Sequence, residues 1–309
     1  AVPGREPAAA GDRDGSAGGS RRSGAGQAGG EGRTLRQSGP RAAAWAERFC
    51  LLLTAAAFAW LFVLWARMAT SPAPQEMREA APLLTLLSFL QGQNPYALAT
   101  LPGPANLYGP LYPLACVPFA WVLGPGLVAM RVATAVFLLG ASAITYRLCR
   151  RAGGGVAISL LLTGQVLAGW LYWVGATVRP DGLCLLLMMA GYAAFSAGPP
   201  AWRRFLPALA LWLLAFAAKI YFVFPAFAVA AWVFCTGRFR LGLAFGAVAA
   251  AGTATTMLLL SFLFPGWAAV VLGASLGATV YDLDHLLRQS FDWAVFSLPL
   301  LIGLAVGRP

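Results

Sequence analysis

Lysine is almost missing from this chain: Lys219 stands alone against 21 arginines. Histidine occurs once, as His285, and charged residues make up 11% of the 309. A soluble domain carries about 25%, so an ordinary water-soluble fold is excluded. The five cysteines (Cys50, Cys116, Cys149, Cys184, Cys235) fall singly in or beside apolar runs, with no C-x-x-C pair. They read as small buried hydrophobes rather than disulfides or metal ligands. There is no initiator Met and no signal peptide with a cleavage site. The chain stops at Arg308-Pro309 directly after an apolar run, which leaves open that it is a fragment. A heptad seam and internal repeats are also lacking.

What is present is apolar. The hydrophobic fraction is 59% and the mean hydropathy +0.70, values of a polytopic integral membrane protein. The net charge of +11 invites a nucleic-acid reading, which the distribution opposes. Much of the excess lies in the N-terminal tail, and most of the rest caps hydrophobic segments, as the positive-inside rule requires. Residues 1–42 are Gly, Ala, Ser and Arg with few large apolar side chains. They cannot offset their ordering entropy and are expected to form a disordered cytoplasmic tail. Residues 43–309 form the membrane domain.

Eight membrane-crossing segments are expected, at about 49–65, 127–146, 156–174, 183–197, 205–217, 221–235, 241–264 and 293–306. The fifth and sixth are a short hairpin around Lys219. Arginines at alternate ends place the N-terminus and the Arg147/Arg150/Arg151, Arg203/Arg204 and Arg238/Arg240 clusters in the cytoplasm. Between the first two spans lies a long outer loop from Glu76. Its first part has apolar residues at helical spacing (Met77, Leu83, Leu84, Leu87, Leu90) behind Glu76 and Glu79. This predicts a surface helix with its carboxylates in water. The segment from Tyr108 to Leu123 offers about 16 residues where a span needs about 20. It is punctuated by Pro110, Pro113 and Pro118, with Pro125 just beyond, and is expected not to cross.

This topology puts Glu76, Glu79, Asp181, Asp282, Asp284 and Asp292 on the outer side. It puts Arg67, Arg78, Arg131, Arg179, Lys219, Arg288 and His285 there too. Ionisable groups at membrane depth are costly, so a two-sign cluster at one face marks a candidate site.

Four pieces in order then resemble one family. They are the loop acid with G-x-N-P-Y (Glu79, Gly92, Asn94, Pro95, Tyr96), Y-G-P-L-Y (Tyr108 to Tyr112), R-P-D (Arg179 to Asp181), and Lys219 in a short hairpin followed by Pro225. The chain resembles the C-type-fold (GT-C) membrane glycosyltransferases, in particular the family-39-like group related to protein O-mannosyltransferases and lipid A aminoarabinose transferases. The resemblance spans about residues 49–305. It implies a GT-C-like all-α bundle of about eight transmembrane helices, with surface helices on its long first extracytoplasmic loop, in the inner membrane. It also implies transfer of a sugar from a polyprenyl-phosphate donor to an extracytoplasmic hydroxyl on a lipid, glycan or protein.

Glu79 matches the family's catalytic carboxylate, with Glu76 in reserve. A carboxylate can take the hydroxyl proton, and cations can meet the departing phosphate; Lys219, Arg131 and Arg179 are the expected cations. Asp181 is expected to pair with Arg179 and border the substrate. Tyr96, Tyr108 and Tyr112, with Trp170 and Trp173, are candidates for an aromatic substrate wall or an interfacial belt. No cofactor is expected; a divalent metal at Asp282, Asp284 and His285 is the lesser alternative. A transporter or flippase for a lipid-linked or anionic solute is the competing class, and it predicts inverted repeats.

Overall fold

The computed structural model describes residues 40–71, 73–74, 79–97, 108–170 and 177–277. The expectations for the tail, for Glu76, Arg78 and Trp173, for residues 282–292 and for the span at 293–306 lie outside them. The chain divides into a unit of residues 1–43 and one of 44–309, and the helices that carry the site belong to the second. Among the described residues all regular structure is helical. In order these helices are α1 (Pro40–Ala69), α2 (Ala80–Leu90), α3 (Leu111–Leu123), α4 (Leu127–Arg151), α5 (Val156–Trp170) and α6 (Asp181–Phe195). Then come α7 (Trp202–Ala218), a 3-10 turn (Ile220–Val223), α8 (Phe224–Cys235), α9 (Phe239–Leu263) and α10 (Trp267–Gly277).

Three helical stretches are long and apolar enough to cross a membrane: Leu51–Ala69 of α1, α4 and α9. At 1.5 Å per residue, a 25-residue helix such as α4 or α9 is about 37 Å long, against a hydrocarbon core of about 30 Å. The expected fourth to sixth segments are the shorter helices α6, α7 and α8. At 13 residues α3 reaches only about 20 Å, short of a crossing as its prolines predict. It ends at Gly124, whose φ of 85° lies in the left-handed region that glycine enters without strain. Pro125 and Gly126 then turn the chain straight into α4.

Large apolar side chains remain exposed along α1 (Phe49, Leu52, Leu53, Trp60, Phe62), α4 (Leu139) and α9 (Leu243, Leu258, Phe262). Patches of that extent call for a covering medium, and lipid is compatible with them. Between helices the contacts are made through small residues, as membrane packing favours. Gly182 of α6 lies against Thr134 of α4, and Gly140 of α4 against Leu186 of α6, so these two helices run parallel. Gly191 of α6 lies under the Trp212 indole of α7, whose Nε1 donates to the Met188 carbonyl at 3.2 Å. With Cys184 Sγ on the Ala215 carbonyl at 3.5 Å, this register makes α6 and α7 antiparallel. Beyond Trp212, Phe205 stacks face to face on Phe245 of α9 at 4.0 Å between centroids.

These directions sort the charges. The starts of α4 and α6 and the end of α7 share one end of the bundle. The end of α4, with Arg147, Arg150 and Arg151, lies at the other. There too Arg204 donates to the Pro199 carbonyl and Arg238 to that of Pro200 at 3.4 Å. From Arg147 to Arg240 the sole acidic residue is Asp181, and it belongs to the opposite end.

The glycine contacts are open to test. Gly191→Val would place a side chain inside the Trp212 indole and is expected to cost about 1–3 kcal/mol by overpacking. Gly246→Ala meets only the Ala230 methyl at 3.9 Å and should leave the thermal midpoint of the detergent-solubilised protein unchanged.

Candidate functional site

Glu79 and Arg131 meet as one ion pair, and both side chains are fully buried. Arg131 sits in the second turn of α4 and Glu79 immediately before α2. The guanidinium grips the carboxylate side-on, Nε to Oε1 at 3.0 Å and Nη2 to Oε2 at 2.7 Å. Its other N–H groups donate to the carbonyls of Met68 at 3.1 Å, Ser71 at 2.5 Å and Ala73 at 2.9 Å. All five guanidinium donors are thereby used. Glu79 Oε1 also accepts the Val178 N–H at 2.9 Å. The end of α1, the entries of α2 and α4, and the segment leading to α6 are thus joined at one point. The sequence expectation that Glu79 points into water is therefore corrected. A carboxylate matched by a bidentate guanidinium and a backbone donor is stable in a dry interior, where an unpaired one is not.

A second pair lies three residues along the chain from Val178. Lys219 Nζ is 2.7 Å from Asp181 Oδ1, with side chains 18% and 8% exposed. Three residues span at most about 11 Å, so the two pairs are neighbours. Each partner is placed by a helix end. Asp181 opens α6, where the positive end of the helix dipole favours a carboxylate. Lys219 follows α7, where the negative end favours an ammonium. Extended backbone at Lys219 (φ −157°, ψ 119°) ends α7 there and begins the 3-10 turn. Asp181 is therefore partnered by Lys219 and not by Arg179 as expected. Its second oxygen, Oδ2, is buried and has no hydrogen-bond partner. Burial without a donor is costly for a charged oxygen.

The Tyr108 ring lies 5.4 Å from Lys219 Nζ, within cation–π range. Its position is set by the backbone: the Gly109 N–H donates to the Ala218 carbonyl at 3.0 Å, and a Cβ on Gly109 would overlap the Ala217 carbonyl oxygen. Tyr96 is buried and donates its hydroxyl to the Tyr108 carbonyl at 2.9 Å. Asn94 shapes the approach by accepting the Tyr96 N–H at 3.0 Å and donating to the Pro265 carbonyl at 2.9 Å. The G-x-N-P-Y and Y-G-P-L-Y motifs are thus a single structure, held against the end of α7.

Of the residues picked from the sequence, Lys219 meets both Asp181 and the Tyr108 ring, Tyr96 is bonded to the Tyr108 carbonyl, and Glu79 and Arg131 are bonded to each other. Tyr112 is buried between α3 and α4, its hydroxyl 2.7 Å from Thr134 Oγ1 and 3.4 Å from the carbonyl of Met130, the residue before Arg131. Arg179 is half-buried beside Pro180. Among the described residues no three His, Cys, Asp or Glu side chains converge as metal ligands. An apolar groove between α3 and α4, lined by Pro118, Phe119, Val122, Leu123 and Val132, contains none of the ionisable residues above. Sequence reasoning missed Gly109, Val178 and the carbonyls of Met68, Ser71 and Ala73. Four of these five contribute only backbone groups, which no residue type announces; Gly109 stood in a motif already noticed.

No family model, curated protein or solved structure gives a significant match to this chain.

Removing one partner of a buried pair leaves the other charge uncompensated, at a cost of about 3–5 kcal/mol. Glu79→Gln and Arg131→Met are each expected to lower the unfolding midpoint in detergent strongly. Arg150→Gln, at the exposed end of α4, should leave it unchanged.

Proposed function

We propose that the protein is an integral membrane glycosyltransferase that moves a sugar from a polyprenyl-phosphate carrier to an acceptor hydroxyl on the extracytoplasmic face. The observation that carries this reading is the polarity of the bundle. One end holds two ion pairs with an aromatic ring over the accessible cation, and the other holds arginines. By the positive-inside rule the arginine end is cytoplasmic, and the paired end then faces outward. Buried charges in an apolar helical bundle are a functional-site hypothesis by default.

The chemistry suits these groups. The donor is a phosphodiester whose carrier leaves as a phosphate, so a cation must meet developing negative charge. Lys219 is the part-exposed ammonium for this task. Arg131 has every donor engaged in the Glu79 clasp, so it would reach a phosphate only by leaving that clasp. Tyr108, beside Lys219, offers a face to the sugar, and Arg179 is a second cation a few residues away. A carboxylate must take the hydroxyl proton; the family resemblance assigns that role to Glu79. The acceptor is a lipid, glycan or protein hydroxyl, and no cofactor enters the proposal.

Two measurements test it. The purified chain, incubated with a panel of radiolabelled polyprenyl-phosphate sugars and membrane extract, is expected to transfer label from at least one of them. Failure with the whole panel, together with uptake of a lipid-linked solute into proteoliposomes, would establish a transporter instead. Lys219→Met should raise the KM for the donor about 10–100-fold, the equivalent of one charge-assisted hydrogen bond.

Topology has its own check. In a background where exposed Cys235 is replaced by Ser, Gln93→Cys is expected to react with an impermeant thiol reagent on intact cells. Ser196→Cys should react only after permeabilisation, and the reverse pattern would overturn the outward placement of the site.

A further inference from the structure

The two carboxylates at this end differ in what they have left to offer. Glu79 is fully buried, held by a guanidinium that three backbone carbonyls fix in turn. Drawing a proton to it from a substrate would mean opening the clasp that joins four segments. Asp181 keeps one oxygen, Oδ1, on Lys219 and leaves the other, Oδ2, buried without a donor. The residue is 5% exposed. A buried acceptor with no donor is uncommon and calls for an explanation, a catalytic role among them. The partner of its other oxygen is Lys219, a four-carbon stem with three rotatable donors, whose side chain is 18% exposed. Movement of that ammonium toward a ligand would uncover the carboxylate.

We propose that Asp181 takes the acceptor's proton and that Lys219 exchanges partners during transfer, from the Asp181 carboxylate to the phosphate of the departing carrier. This rests on the glycosyl-transfer reading above and differs from it in the identity of the base. In the step, the acceptor oxygen forms its bond to C1 of the sugar as its proton passes to Asp181 Oδ2. The bond from C1 to the phosphate oxygen breaks, and its electron pair leaves with the phosphate. Asp181 thereby loses one negative charge as the carrier phosphate gains one. Lys219 stays protonated throughout, so the cation always has an anionic neighbour. Loss of the proton from Asp181 to water after product release restores the resting pair.

The arrangement gives Lys219 a reason to be a lysine. An ammonium on a flexible stem is a point charge that can swing between two anions, whereas a planar guanidinium is suited to a fixed fork. Arg131 illustrates the second behaviour at the neighbouring pair.

The test uses the full chain in detergent with a donor that supports transfer. Asp181→Asn keeps the shape and an oxygen for Lys219, and it should fold, retain the donor KM and lose kcat by about 10²–10⁴-fold. If Asn is not accommodated, Asp181→Glu retains the charge and displaces the oxygens; a reduced kcat at an unchanged thermal midpoint is then the supporting result. Wild-type kcat in whichever variant folds overturns the assignment and leaves glycosyl transfer standing. A wild-type protein inactive with the whole donor panel overturns both.

Discussion

A charge inside a membrane protein must bring its counter-charge with it, and the Glu79–Arg131 pair shows how far that requirement reaches. In a medium of low dielectric an unmatched guanidinium is prohibitively expensive. Here the match is supplied by groups from distant parts of the chain: a loop carboxylate 52 residues earlier, carbonyls 58 to 63 residues earlier, and through that carboxylate an N–H 99 residues after it. The end of α1, the entry of α2 and Val178, just before α6, are tied to α4 through the groups that satisfy Arg131. The second pair inherits its location from the first, since Val178 and Asp181 share one short run of backbone.

Much of the helix pattern was legible in the sequence, because hydropathy and proline placement act locally. The start of α4 at Leu127, the break at Lys219 and the short α3 all follow from residue types. The Arg clusters that mark one end also follow, since they need only a count of charges between apolar runs. What stayed hidden is non-local. Glu79 looked like a solvated helix start because acids at helix N-termini usually are; only its partner on α4 makes burial tolerable. Arg131 and Glu79 were picked for two different roles, base and phosphate ligand, although they satisfy each other. The Asp181 partner was misread for a related reason. Arg179 is near in sequence, but α6 and α7 pack antiparallel and bring Lys219 closer.

The same contrast separates the two ion pairs at this end of the bundle. Four ionisable groups form two pairs. One pair is saturated by donors and acceptors from the backbone; the other is supported by its helix ends and the Tyr108 ring and leaves Asp181 Oδ2 without a donor. A fully satisfied buried network is rigid, and a buried group left without a partner is costly. Small residues do comparable work in the apolar part. Gly182 and Gly191 let α4, α6 and α7 approach closely, which is why the ends of those helices, and the charges on them, arrive at one level.

The contact between Gly109 and the end of α7 fixes one dimension of the site from peptide to peptide. Tyr108 and Lys219 are each next to that contact, so the interval between their α-carbons does not depend on any rotamer. The aromatic ring has two torsions about a tethered base, and the ammonium has four methylenes. Any change in the distance between ring and ammonium must therefore come from side-chain torsions, of which the lysine has more. The geometry of this cation–aromatic contact thus rests on two backbone points that are themselves hydrogen-bonded together.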